Sequence, residues 1–162
     1  TVSPLSVAPV YAEVTTQANV ASVDITQDIN GNPFSIVSGE SVEIIIKIDR
    51  WVNDIASRLY LRLNGISSSV YRQGNMGLIP YIILAGTTYY NGHYMVKLYN
   101  YNGYAIGITN AWTESPIGTF GAFPQMYHFR VETTITDIAQ LTLYTISGNV
   151  IPAGTKFIVK KC

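Results

Sequence analysis

Charge is scarce in this 162-residue chain: Asp, Glu, Lys and Arg make up 12% of it, against about 25% in an average globular sequence. Ten basic and ten acidic residues cancel, so bulk electrostatics draws the chain toward neither nucleic acid nor an anionic membrane surface. Cysteine is scarcer. Cys162, the last residue, is the only one; it cannot close an internal disulfide and reads as a frayed terminal thiol rather than a nucleophile. Asn-x-Ser/Thr is missing although asparagine abounds, which argues against a secreted eukaryotic module. No apolar run approaches the ~20 residues of a membrane-spanning helix. Ile44-Ile45-Ile46 already ends at Lys47, and membrane insertion is not expected. Thr1-Val2-Ser3-Pro4 lacks the basic and apolar segments of a secretory leader, as a processed mature chain also would.

Apolar residues supply 48% of the chain, and 12 residues are tyrosine. That is enough for a folded core and for a surface of hydroxyls and amides suited to packing against copies or neighbours. The length fits one domain. Residues 1–18 hold Pro4 and Pro9 and show no period, so they read as an extended arm, with Pro4, Leu5, Val7, Pro9, Val10 and Tyr11 as candidates for attachment to another surface. Residues 19–162 read as a single β-domain. Val42, Ile44, Ile46 and Ile48 alternate with Glu43, Lys47 and Asp49, and Leu59, Leu61 and Leu63 alternate with Arg58, Tyr60 and Arg62, the period of strands with one buried face. Further strands are expected over 20–25, 81–87, 94–99, 104–110, 128–133, 140–146 and 156–160, about nine in all. Helix signals are nearly absent, with one short turn over 52–57. Asn-Gly at 30–31, 64–65, 91–92 and 102–103 predicts tight type I′ turns, so hairpins are expected to connect the strands. The expected fold is all-β, an antiparallel β-sandwich of jelly-roll type, ahead of a closed barrel.

Tyr89, Tyr90, Tyr94, Tyr99, Tyr101 and Tyr104 crowd two hairpins, with Asn91, Asn100 and Asn102 among them. Rings there could stack on a sugar face while amides meet its hydroxyls, although cross-strand pairing and subunit contact are plainer uses of strand tyrosines. The stretch 110–125 lacks strand alternation and carries Trp112, Phe120 and Phe123, which read as a cap over the open end of the sandwich or as an interface loop. Catalytic and metal patterns are missing. His93 and His128 have no second ligand at metal spacing; His93 is expected exposed in a turn and His128 partly buried on a strand. There is no Gly-x-Ser-x-Gly and no phosphate-cradling glycine loop, and the scattered carboxylates do not single out a hydrolytic pair. No cofactor and no metal are expected, and a binding or structural role ranks above an enzyme.

Two segments carry a family resemblance. Ile135-Thr136-Asp137-Ile138-Ala139-Gln140-Leu141-Thr142-Leu143, followed by Ser147-Gly148-Asn149-Val150-Ile151-Pro152-Ala153-Gly154-Thr155-Lys156-Phe157-Ile158-Val159, resembles the closing hairpin of a jelly-roll domain of tailed-phage virion proteins. Leu59-Tyr60-Leu61-Arg62-Leu63-Asn64-Gly65 with Tyr71 after it is similar to that family's strand ending in an Asn-Gly turn. The ending Lys160-Lys161-Cys162 departs from the tyrosine- and glycine-bearing last strand common there. The resemblance implies a capsid decoration protein, head fibre or tail appendage on the virion surface, with no catalytic residues. Its implied partners are capsid or other virion proteins and further copies of the chain, as trimers. A cell-surface glycan is the alternative partner, for a receptor-binding or carbohydrate-binding appendage.

Overall fold

The computed structural model describes residues 8–48, 59–84, 91–114, 125–146 and 150–162. Within them every regular element is a strand, and every ladder between strands is antiparallel. The largest sheet has eight strands in the order β1 (Val10–Thr15), β14 (Lys156–Lys161), β4 (Ser41–Ile48), β9 (Asn91–Tyr101), β10 (Tyr104–Glu114), β11 (Gln125–Val131), β6 (Tyr71–Gln73) and β7 (Leu78–Ile79). A four-stranded sheet runs β2 (Ser22–Ile25), β13 (Leu141–Tyr144), β5 (Tyr60–Leu63) and β8 (Ile82–Ile83), and β3 (Ile36–Val37) pairs with β12 (Asp137–Ile138).

The alternation read from the sequence decides which side of each strand is dry. On β4, Val42, Ile44, Ile46 and Ile48 are buried; on β9, Tyr94, Val96 and Leu98 are; on the four-stranded sheet, Val23, Ile25, Leu61, Leu63, Leu141 and Leu143 are. These side chains belong to one hydrophobic cluster, the signature of two sheets sharing a core in a sandwich-like arrangement. Polar side chains tie the layers together. Gln73 of β6 donates to the Ile83 carbonyl at 2.6 Å and accepts from the Ile83 N–H at 2.8 Å. Tyr71 accepts from the Leu63 N–H at 3.1 Å and donates to the Ile66 carbonyl at 2.9 Å. Satisfying backbone groups with buried side chains fixes how the sheets meet, because each broken bond leaves a desolvated partner behind.

Several expectations need correction. The arm does not extend to residue 18: Val10–Thr15 is the edge strand β1, paired with β14, and Ala12 is in the core. A register shift between Val10 and Ala12 breaks the period of two and hides the strand from a reading of alternation. Asn64 and Asn102 do take positive φ ahead of Gly65 and Gly103, as type I′ turns require. Asn91-Gly92 instead lies within β9, and Asn30-Gly31 closes a loop around Asp28, whose carboxylate accepts from the Asn30 and Asn32 N–H groups, each at 2.8 Å. Tight hairpins are therefore the minority connection among the described residues. β1 with β14, β4 with β14, β2 with β13 and β3 with β12 join the two ends of the chain. Strands are also shorter and more numerous than nine, since several hold only two or three residues.

Candidate functional site

The large sheet turns a broad face outward, and its ladders place the side chains of that face in rows. One row reads Ser41, Tyr99, Ile106, Arg130, Arg72 and Leu78 across β4, β9, β10, β11, β6 and β7. The next reads Lys160, Glu43, Lys97, Ile108 and His128 across β14, β4, β9, β10 and β11. Beyond the first row, Tyr101 and Tyr104 face each other beside the Asn102-Gly103 turn. Tyr99, Tyr101, Tyr104 and Ile106 are exposed by 36%, 54%, 52% and 39%, an apolar density that a lone soluble domain seldom leaves uncovered.

Three depressions run together across these rows. The largest, about 560 Å³, lies between Tyr99, Lys97, Ile106 and His128, with Ser41 and Cys162 at its far end. The second, about 370 Å³, shares Ile106 with it and continues along Tyr104, Arg130 and Glu132. A third, about 280 Å³, shares His128 and Phe129 with the first and Arg130 with the second, and reaches Arg72. Shared walls make them one trough. Gly107 is essential to its shape: a Cβ there would lie 2.1 Å from the Lys97 carbonyl oxygen and 2.5 Å from the Phe129 ring, so only glycine lets Phe129, its register partner, settle against β10.

The outer face of the large sheet carries more cations than carboxylates although the chain is neutral. Lys47, Lys97, Lys156, Lys160, Arg72 and Arg130 share this face with Glu13, Glu43 and Glu132. Glu132 accepts from Arg72 Nε at 2.7 Å and from Arg130 Nη2 at 2.7 Å. The hydrogen bond from Arg72, then that from Arg130, holds the Glu132 carboxyl below its usual range, and the same bond raises Arg72. Lys156 pairs with Glu13 at 3.0 Å at the far edge.

The structure brings together only part of the expected tyrosine platform. Tyr99, Tyr101 and Tyr104 share the outer face, with the Tyr99 and Tyr101 rings 5.9 Å apart. Tyr94 points the opposite way and is buried, because it stands one residue out of phase with them on β9. Asn102 sits in the turn, its N–H donating to Ser38 Oγ at 3.0 Å. Asn100 is buried, with its amide donating to the carbonyls of Ile36, Ile135 and Thr136, so it is no ligand donor. Tyr89 and Tyr90 lie outside the described residues, as do the Asn91 side chain, Phe120 and Phe123. Trp112 belongs to β10 rather than to a loop; its side chain is outside the described residues.

Of the attachment candidates, Pro4, Leu5 and Val7 lie outside the described residues, and Pro9 is exposed. Val10 and Tyr11 are structural instead. Tyr11 accepts from the Ser35 N–H at 2.9 Å, packs its ring 5.2 Å from Phe34, and lies under the Lys161 ammonium at 4.6 Å. His93 is exposed, but on β9 and not in a turn; His128 is exposed and not partly buried. Nothing in the sequence groups Arg72, Arg130 and Lys97 with Glu132, which stands there only as one of the scattered carboxylates. Their only signal is the two-residue spacing of Arg130 and Glu132, since Arg72 stands 60 residues from Glu132.

Among the described residues no three His, Cys, Asp or Glu side chains gather as a metal site. Comparison with known protein-family models gives no match, and a search among curated proteins likewise finds no relative.

Proposed function

We propose that this chain is a non-enzymatic structural protein of a tailed-phage virion, a jelly-roll-type sandwich that decorates the head or forms a head fibre and assembles with copies of itself. The observation that carries this reading is the position of β1 at the end of the eight-stranded sheet. An edge strand offers unpaired backbone groups to a neighbour's strand, and strand addition is a common way to hold one subunit on another. Along β1 the Tyr11 carbonyl already accepts from the Ile29 N–H at 2.7 Å and the Thr15 carbonyl from Gln17 Nε2 at 3.2 Å, which leaves the backbone between them for a partner. The turn at Ala153-Gly154-Thr155, where Gly154 has φ +83°, leads into the last strand as the family pattern asks. Deleting residues 1–9 preserves β1 and its core side chains. Particle occupancy is expected to fall while the domain still folds; undiminished occupancy would remove the segment before β1 from the attachment.

The trough favours a second reading, a receptor-binding or carbohydrate-binding appendage. Exposed tyrosine rings beside hydrogen-bonding groups are what a sugar face needs. Tyr101→Ala tests it: a glycan-array signal lost in the variant supports the reading, and uniform silence of the unaltered chain counts against it.

A further inference from the structure

Two groups of charged side chains flank the trough, one a hydrogen-bonded triad and the other set side by side by the ladders. Arg72 and Arg130 are register partners on β6 and β11, an arrangement that sets like charges against each other. Glu132 bridges them, its Oε1 2.7 Å from each arginine. One carboxylate cannot neutralise two guanidiniums, so this triad keeps a positive charge. On the other side of the trough the ladders set Glu43 between Lys160 and Lys97, again two cations to one carboxylate. Tyr99 and Ile106 lie between the two groups.

The geometry fixes a length. Lys97 and Arg130 are two strands apart and offset by two residues along the ladder, since Lys97 pairs with Ile108 and Arg130 with Ile106. With strands about 4.8 Å apart and about 3.4 Å per residue, their Cα atoms stand roughly 12 Å from each other. A ligand that satisfies both groups therefore carries two anionic groups spaced on the order of that 12 Å and joined by neutral, partly apolar linkage.

We infer that the trough binds a carboxylated oligosaccharide, with its acid groups at Lys97 and Arg130 and its ring faces on Tyr99 and Ile106. This rests on the glycan-binding reading above and adds the ligand's charge. Glu43 and Glu132 accept hydrogen bonds from hydroxyls while the flanking cations take the acids. Nucleic acid fits poorly, because two residual charges are few against a phosphate backbone that is bound through many basic contacts. A peptide adding as a strand is excluded, because this trough lies in mid-sheet, where ladders on both sides occupy the backbone of β9 and β10.

The test titrates the purified chain, followed by amide chemical shifts, with oligogalacturonate, hyaluronan oligosaccharides and α2,8-linked oligosialate. Each is run beside its carboxyl-methylated form, which keeps the rings and removes the charge. At least one acid form is expected to bind about tenfold more tightly than its ester, with added salt weakening it. Lys97→Gln and Arg130→Gln are each expected to weaken it about threefold to tenfold, with shifts confined to the trough. Equal binding of acid and ester overturns the charge assignment and leaves the glycan reading standing. Silence of every saccharide overturns both. Poly-glutamate or a single-stranded oligonucleotide binding as tightly as the best acid saccharide also overturns the proposal.

Discussion

The two sheets turn outward the same kinds of residue, tyrosine and arginine, and use them in opposite ways. On the four-stranded sheet the rings of Tyr60 and Tyr81 are 4.4 Å apart, those of Tyr60 and Tyr144 5.5 Å apart, and the Arg62 guanidinium lies 4.5 Å over Tyr144. Arg62 also donates to the Pro80 carbonyl at 3.0 Å, and Thr142 and Gln140 both donate to Asp24, at 2.6 and 3.1 Å. That face is occupied by its own chain. On the eight-stranded sheet Tyr101 and Tyr104 stand more than half exposed, and the arginines share one carboxylate. Residue type does not distinguish packing from binding here; the presence of an intrachain partner does.

The sharpest way to break this contrast is to truncate one tyrosine from each face. Tyr60→Ala removes a buried ring from two aromatic neighbours, Tyr81 and Tyr144, and is expected to cost about 3–4 kcal/mol. Tyr101→Ala is expected to change stability by no more than about 0.5 kcal/mol while weakening ligand or neighbour binding. Urea denaturation of both variants checks this. Similar losses in the two would show that the outer face of the large sheet is packing surface after all.

Gly107→Ala should rank next. Its added methyl meets backbone on one side and a nearly buried ring on the other, a clash expected to cost about 2–3 kcal/mol. For a chain of this size that lowers the melting temperature by roughly 4–12 °C. A melt within a degree or so of the parent would mean that Phe129 moves aside freely, and the trough would lose its defined floor. Tyr71→Phe should follow at about 1–2 kcal/mol, since the Leu63 N–H and Ile66 carbonyl lose their shared hydroxyl partner while the ring still fills its place. Hydrogen exchange at Leu63 would rise in that variant if the bond is what holds β5.

How much of this was legible depended on the range of the interaction. The period of two in β4 put Val42, Ile44, Ile46 and Ile48 inside, and Asn64-Gly65 and Asn102-Gly103 announced their turns, because both signals are local. Asn91-Gly92 misled, since ladders to β4 and β10 on either side hold the segment extended and override a turn preference. The strand β1 pairs with residues at the opposite end of the chain, and its bulge masks the alternation. The same limit hid the trough. Tyr99, Tyr101 and Tyr104 could be grouped by proximity in sequence, but Arg72, Arg130 and Glu132 are assembled by a ladder between strands far apart in the chain.

The smallest expected effect comes from Tyr144, and it separates the two faces by pH. Burial, which outweighs the opposing charge of Arg62, pushes the Tyr144 hydroxyl up to about 12. Unfolded, the same group ionises near 10. Between those values the unfolded chain holds fewer protons than the folded one, so stability falls as pH rises; below about 10 the contribution is fully present. The hydroxyl has no hydrogen-bond partner among the described residues, so Tyr144→Phe removes an unsatisfied polar group and is expected to leave stability at neutral pH unchanged or slightly higher. Urea midpoints measured from pH 8 to 11 should therefore diverge above pH 10, where the parent chain loses stability and the variant loses less. Equal slopes in the parent and Tyr144→Phe would show that Tyr144 ionises as easily in the folded sheet as in the open chain, and the four-stranded face would then be no more closed to water than the trough.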